Sequence, residues 1–311
     1  DNFEIKNISQ GNDTKSLIQA LDLSQKIIDV NDAGTSLRFL TAFLCLQQDK
    51  EFILTGSERL KERPIKNLVN VLQKMGAQIE YLEKEGFVPL KILGGKLKGG
   101  YIEIDGGISS QFITAILLIA PTLYNGIKLK ITGELVSKPY VLMTLKLIKE
   151  FGVTWTWNGD IIIISKQNYK AKNYYVESDW SSASFWFQIA GLSEECNIKL
   201  NGLEENSIQG DKRVIDLFES LGVLSTFENQ SLLLTKNENK SFPKKINLIE
   251  TPDLYQPLKC YIYAKNIITE ILGLQTLKNK ESNRVIAVKK GLEELDSSRI
   301  ISTHKDHRMA M

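Results

Sequence analysis

Apolar and polar positions recur in a fixed order along the 311-residue chain. A short apolar strand ends in a glycine, a polar loop follows, and an amphipathic helix begins. The clearest copy is Phe52-Ile53-Leu54-Thr55-Gly56, a polar loop over 57–63, and a helix predicted over 64–75, closed by Gly76. A second copy has a strand at 127–132 with Gly133, then a helix at 139–151 closed by Gly152. A third has a strand at 197–201 with Gly202, then a helix at 211–221 closed by Gly222. A fourth, weaker, has a strand at 267–272 with Gly273 and a helix at about 282–295. Within the first helix Leu68, Val71, Leu72 and Met75 follow three-to-four spacing, so one face is apolar. Glycine just past a helix suits a left-handed cap. Pro64 and Pro139 suit a first helical position, and Asp211 suits an N-cap.

More apolar helices alternate with these, starting near Ser36, Ser110, Ser181 and Pro257. Strands at 101–105 and 161–164 fill the gaps. The repeating unit is mixed strand and helix, about 70 residues long, longer than common solenoid repeats. That pattern predicts an α/β protein built by duplication. The Lys/Asn/Tyr-rich stretch over 166–175 marks a boundary, giving domains 1–176 and 177–311.

Charge narrows the partners. With 39 basic and 37 acidic residues the formal net charge is +2, which gives no reason to expect nucleic acid or a membrane surface. The longest apolar run, 112–123, is too short to span a bilayer and reads as a buried helix. Cys45, Cys196 and Cys260 are scattered and odd in number, as expected of free thiols in a reducing cytoplasm. The histidines are His304 and His307, with no cysteine nearby, and no metal is expected.

Small anions are another matter. Leu60-Lys61-Glu62-Arg63-Pro64, Ser137-Lys138-Pro139-Tyr140 and Lys278-Asn279-Lys280-Glu281-Ser282-Asn283-Arg284 each put cations where a helix begins. A helix N-terminus already carries partial positive charge, so added cations disfavour the helix and favour a bound anion. Ile108-Ser109-Ser110-Gln111 and Ala33-Gly34-Thr35-Ser36-Leu37-Arg38 add hydroxyls, an amide and a glycine at two more helix starts. The hydroxyls can cap the helix or hold a phosphate. Asp253, after Pro252, is an N-cap or a base, and Asp306-His307-Arg308 sets an imidazole beside a guanidinium.

Taken in order, these blocks, with Leu135-Val136-Ser137-Lys138-Pro139-Tyr140, Ser207-Ile208-Gln209-Gly210-Asp211 and Asp306-His307-Arg308-Met309-Ala310-Met311, resemble the EPSP synthase family. The resemblance implies two similar domains, each of three βαβαββ units, with the active site in the cleft between them. It implies transfer of the enolpyruvyl group of phosphoenolpyruvate to the 5-hydroxyl of shikimate 3-phosphate, with release of phosphate. No cofactor is implied, and a cytoplasmic monomer is expected. Sensitivity to glyphosate is expected as well, with Gly34 lining the phosphoenolpyruvate pocket.

The same resemblance assigns roles. Ser109, Ser110 and Ser137 would hold the phosphate of shikimate 3-phosphate, and Gln111, Tyr140, Asp253 and Lys280 the rest of it. Arg63, Arg284 and Arg308 would hold phosphoenolpyruvate, with Gly34 and Gln111 beside it and Thr35 and Arg38 in support. Arginine forks match both carboxylates and phosphates. Addition followed by elimination needs a base at the hydroxyl and an acid at the methylene. Asp253 is the candidate base. Glu281, beside Lys280, is the candidate acid, provided a dry or crowded site raises its pKa, and His307 is a helper.

The sequence departs from the family in places. Nothing ahead of Asp13 matches the family's Lys-Ser…Arg substrate segment, and the family continues beyond the position of Met311 with another lysine. The second domain is therefore expected to be truncated. Leu254-Tyr255-Gln256-Pro257 stands where the family has small residues and Met-Thr. Two rivals follow: the related transferase acting on UDP-N-acetylglucosamine, and a homologue that binds anions without catalysis. Lys280-Glu281-Ser282-Asn283-Arg284, Val136-Ser137-Lys138-Pro139-Tyr140 and the lack of a cysteine loop argue against the first.

Overall fold

The computed structural model describes residues 3–238 and 241–296, apart from the side chains of Asn279 and Asp296. The described residues form two compact units, and the chain passes from one to the other between Val176 and Glu177.

The first unit begins with β1 (Ile5–Lys6) and α1 (Asn12–Ala20). Then come β2 (Ile27–Asp29), α2 (Gly34–Leu44), β3 (Glu51–Thr55), α3 (Glu58–Lys61), α4 (Lys66–Lys74), β4 (Gln78–Tyr81) and β5 (Leu90–Leu93). The order recurs in β6 (Gly100–Asp105), α5 (Ser110–Ile119), β7 (Ile127–Thr132), α6 (Lys138–Glu150), β8 (Thr156–Asn158) and β9 (Ile161–Ile164). The unit closes with β10 (Tyr174–Tyr175), which runs parallel to β1. Two four-stranded sheets result, ordered β2-β3-β5-β4 and β6-β7-β9-β8. In each, the first two strands are parallel and the other pairings antiparallel. The crossover between parallel strands is a helix, α2 in one sheet and α5 in the other, as parallel pairing requires. Each crossover helix therefore starts at the end of a strand, and its N-terminal loop lies at a sheet's carboxyl edge.

The second unit contains α7 (Trp180–Leu192), β11 (Asn197–Asn201), α8 (Val214–Ser220), β12 (Val223–Glu228) and β13 (Ser231–Lys236). It continues with β14 (Lys245–Asn247), α9 (Tyr255–Ala264), β15 (Glu270–Leu272) and α10 (Arg284–Asp296). Its sheets are an antiparallel β11-β13-β12 and a parallel β14-β15. Each unit has its own core. In the second, Phe218 stacks at 5.5 Å from Tyr261, whose hydroxyl donates to Leu221 O at 2.6 Å. A Cβ on Gly191 would stand 2.5 Å from that tyrosine ring, so only glycine lets α7 lie so close to α9.

Gly76, Gly152 and Gly222 take φ of +102°, +83° and +99°, the left-handed caps expected after their helices. The run at 112–123 forms most of α5 and the turn after it, and α5 is buried from Phe112 to Leu117. Other expectations need correction. The helix expected at 64–75 begins at Lys66, because α3 uses 58–61, with the Ser57 hydroxyl accepting from Leu60 N at 3.3 Å. Asp211 does not cap α8. It is buried in a 3-10 turn, Gly210–Arg213, and its carboxylate accepts the Ser181 hydroxyl from the start of α7. The strand expected at 267–272 is confined to β15, and the helix after it starts at Arg284.

Candidate active site

In the first unit two helix starts are tied together, and a third helix is bonded to one of them. Gln111, in the first turn of α5, donates from Nε2 to Thr35 Oγ1 in the first turn of α2 at 2.9 Å. One turn along, Thr114 of α5 and Thr144 of α6 share a hydrogen bond of 2.7 Å, and Thr144 also donates to Tyr140 O at 3.0 Å. The Gln111–Thr35 bond sets the starts of α2 and α5 side by side, so the positive ends of these two dipoles lie close together. Ser109 caps α5, accepting from Gln111 N at 3.3 Å. Ser137 caps α6 in backbone only: it stands at φ 55°, ψ 38°, with no capping bond from its side chain. A left-handed serine costs on the order of 1 kcal/mol, and such strain gathers at functional sites.

Two guanidiniums back this region. Arg38 Nη1 donates to Gly34 O at 2.6 Å, and its guanidinium lies 5.9 Å from the Phe112 ring centroid. A Cβ on Gly34 would fall 2.3 Å from Arg63 Nη1 and 2.5 Å from Arg38 Nη1. The helix start thus touches both arginines, and both are buried. Of the other cations in these loops, Lys61 pairs with Glu58 at 2.9 Å, and that bond raises its pKa. Lys138 lies 5.4 Å from the Trp157 ring centroid.

In the second unit, Asp253 sits in the 3-10 turn Pro252–Leu254 that leads into α9. Its Oδ1 accepts from Arg284 Nη1 at 2.7 Å and lies 3.4 Å from Lys280 Nζ. Arg284 reaches Glu281 Oε2 through Nη2, also at 2.7 Å. Arg284 is buried, with 3% of its side chain exposed, and the four charges balance. Asp253 is therefore an ion-pair partner and not a helix cap. Glu281 would have to leave Arg284 before it could deliver a proton. His307 and Arg308 lie outside the described residues.

Comparison with known proteins decides the family. The family model described as EPSP synthase (3-phosphoshikimate 1-carboxyvinyltransferase) matches residues 4–298. The chain belongs to the EPSP synthase family. A 3-phosphoshikimate 1-carboxyvinyltransferase of Bacteroides fragilis (strain YCH46) is 40% identical over 99% of this chain and 80% of its own length. One from Psychromonas ingrahamii is 37% identical over 91% of this chain and 70% of its own. In fold, the chain matches EPSP synthase of Acinetobacter baumannii with a TM-score of 0.68 at 21% identity. The match covers 94% of this chain and 72% of that one.

As an EPSP synthase family member the chain carries most of the expected residues among those described. The structure brings Gly34, Thr35, Arg38, Arg63, Ser109 and Gln111 together in the first unit, with Tyr140 linked through the Thr114–Thr144 tie. It brings Asp253, Lys280, Glu281 and Arg284 together in the second. Ser110 is the first residue of α5, and Ser137 precedes α6. Thr114 and Thr144 escaped the sequence reading. Their signal was a hydroxyl four residues after Ser110 and after Tyr140, each inside an apolar helix. Among the described residues no group of three or more metal-type ligands occurs, and no helix is long and apolar enough to cross a membrane.

Proposed function

We propose that the chain transfers the enolpyruvyl group of phosphoenolpyruvate to the 5-hydroxyl of shikimate 3-phosphate, releasing phosphate. The observation that carries this reading is Gly34 seated against Arg63 and Arg38 at a helix start. That arrangement suits a small, doubly charged anion approaching the backbone.

Ser109, Ser110 and Ser137 take the phosphate of shikimate 3-phosphate, and Gln111 and Tyr140 contact its ring. Arg63, Arg284 and Arg308 hold phosphoenolpyruvate beside Gly34 and Gln111, with Thr35 and Arg38 in support. Asp253 receives the proton of the 5-hydroxyl as that oxygen attacks the middle carbon of phosphoenolpyruvate. Glu281, with Lys280 and His307 nearby, delivers a proton to the methylene. Loss of a proton from the resulting methyl and departure of phosphate complete the exchange, and the arginines stabilise the charge on the leaving group. Both residue sets serving one substrate pair is part of the proposal, as is the architecture of three βαβαββ units per domain. The three free thiols fit a cytoplasmic enzyme, and a monomer suffices for the chemistry.

Product analysis tests the reading. With both substrates the chain forms a shikimate ring bearing an enolpyruvyl ether at the 5-position, and with either omitted it forms none. Binding of both substrates without that product would identify a non-catalytic homologue.

A further inference from the structure

Gln256 is 2% exposed, and neither Oε1 nor Nε2 of its amide has a hydrogen-bond partner among the described residues. A buried amide left unbonded is costly, so native structures keep few of them, often at functional sites. Its place is informative. The turn Pro252–Leu254 runs directly into α9, and Gln256 follows Asp253 by three residues. Residues three apart in such a turn lie one above the other. On the other side, the turn Gln275–Asn279 packs against the Pro252–Leu254 turn and carries a second buried unpartnered group, the Thr276 hydroxyl.

The proposed reaction, on which this inference rests, gives Lys280 and Arg284 two duties. They hold the Asp253 carboxylate at 3.4 and 2.7 Å, and they are also the second unit's cations for substrate anions. A cation engaged by a phosphate or carboxylate of the substrate holds Asp253 less firmly. A neutral donor has no such conflict. We propose that Gln256 is a positioning residue for Asp253. When substrates draw Lys280 and Arg284 toward their anions, its Nε2 donates to the Asp253 carboxylate and keeps it aimed at the acceptor hydroxyl.

The test uses Gln256→Met and Gln256→Glu in the full chain. The methionine variant has nearly the same shape without the donor, and the glutamate variant replaces the donor with a second carboxylate. Loss of one hydrogen bond to a charged group predicts a kcat about tenfold lower for Gln256→Met, and lower still for Gln256→Glu. KM for both substrates should stay within about twofold, the split expected of a bond that aims the reacting carboxylate and does not itself grip either substrate. The melting temperature of Gln256→Met should not fall, since removing an unpartnered buried amide is neutral or stabilising. Wild-type kcat in Gln256→Met overturns the inference alone. A lowered melting temperature with both KM values raised overturns it in favour of packing. A wild-type chain that turns over neither substrate strikes the proposed function, and this inference with it.

Discussion

Gln111 Nε2 donates to Thr35 Oγ1 at 2.9 Å, joining two residues 76 positions apart in sequence. The bond sets the start of α5 beside the start of α2, so Ser109 and Ser110 stand near the Gly34 backbone, the region proposed to take the substrates' anions. Gly34, Arg38 and Arg63 complete it from behind.

Gly34→Ala should raise KM for phosphoenolpyruvate about tenfold while leaving that for shikimate 3-phosphate nearly unchanged. The new methyl would stand 2.3 Å from Arg63 Nη1, so the guanidinium must move. Gly34 opens α2 without a left-handed backbone, so any fall in melting temperature comes from displacing the two buried arginines and not from backbone strain. Steady-state kinetics with each substrate varied checks this, and an unchanged KM for phosphoenolpyruvate would place that substrate elsewhere.

Ser137→Gly separates strain from binding. Glycine accepts φ 55° freely but loses more entropy on folding, so the net stability change should stay within about 1 kcal/mol. Loss of the hydroxyl should weaken shikimate 3-phosphate binding about tenfold. Calorimetric titration beside denaturant unfolding reads both.

Arg284→Met removes the cation that joins Asp253 to Glu281. Two partly buried carboxylates are then left to Lys280 and other neighbours. Breaking a buried pair on one side should cost roughly 3 kcal/mol, seen as a lower urea midpoint, and turnover should be lost. A loss of stability confined to a few tenths of a kcal/mol would show that the pair is not held in solution.

Glu177, the first residue of the second unit, accepts the Ser207 hydroxyl at 2.9 Å, and burial raises its carboxyl pKa. A raised folded-state pKa means the fold favours the protonated form. The stability it contributes is fully present below the unfolded pKa, near 4.5, and is lost as pH rises through the folded value. Glu177→Gln mimics the protonated form, so it should raise the melting temperature at pH 7 and above, with the gain shrinking as pH falls through the raised folded value and gone below about 4.5. A gain that is constant with pH would point to a cause other than the buried charge.

Much of the scaffold was legible in the chain. The apolar periods gave the alternating helices, and the glycines at 76, 152 and 222 marked helix ends because their backbone conformation excludes most side chains. The loops proposed to face anions were picked out by cations placed against helix dipoles. Side-chain direction was not. Lys61 and Lys138 share the loop pattern of Arg63, yet one pairs with Glu58 and the other lies over Trp157, partners that a one-dimensional pattern does not bring near. Asp211 looked like a cap because of its place before α8. Its bond goes instead to Ser181, 30 residues away. Asp253 was equally open as a cap or a base, and the structure removes only the cap: Leu254 precedes α9, and Arg284, 31 residues on, holds the carboxylate.

Phosphate release in a single turnover is the most direct measurement of all, with shikimate 3-phosphate and phosphoenolpyruvate supplied together and each withheld in turn. The expected result is release only with both present, and its loss in Arg63→Ala and Asp253→Ala. Release without shikimate 3-phosphate, or none with both substrates bound, would contradict the transferase reading.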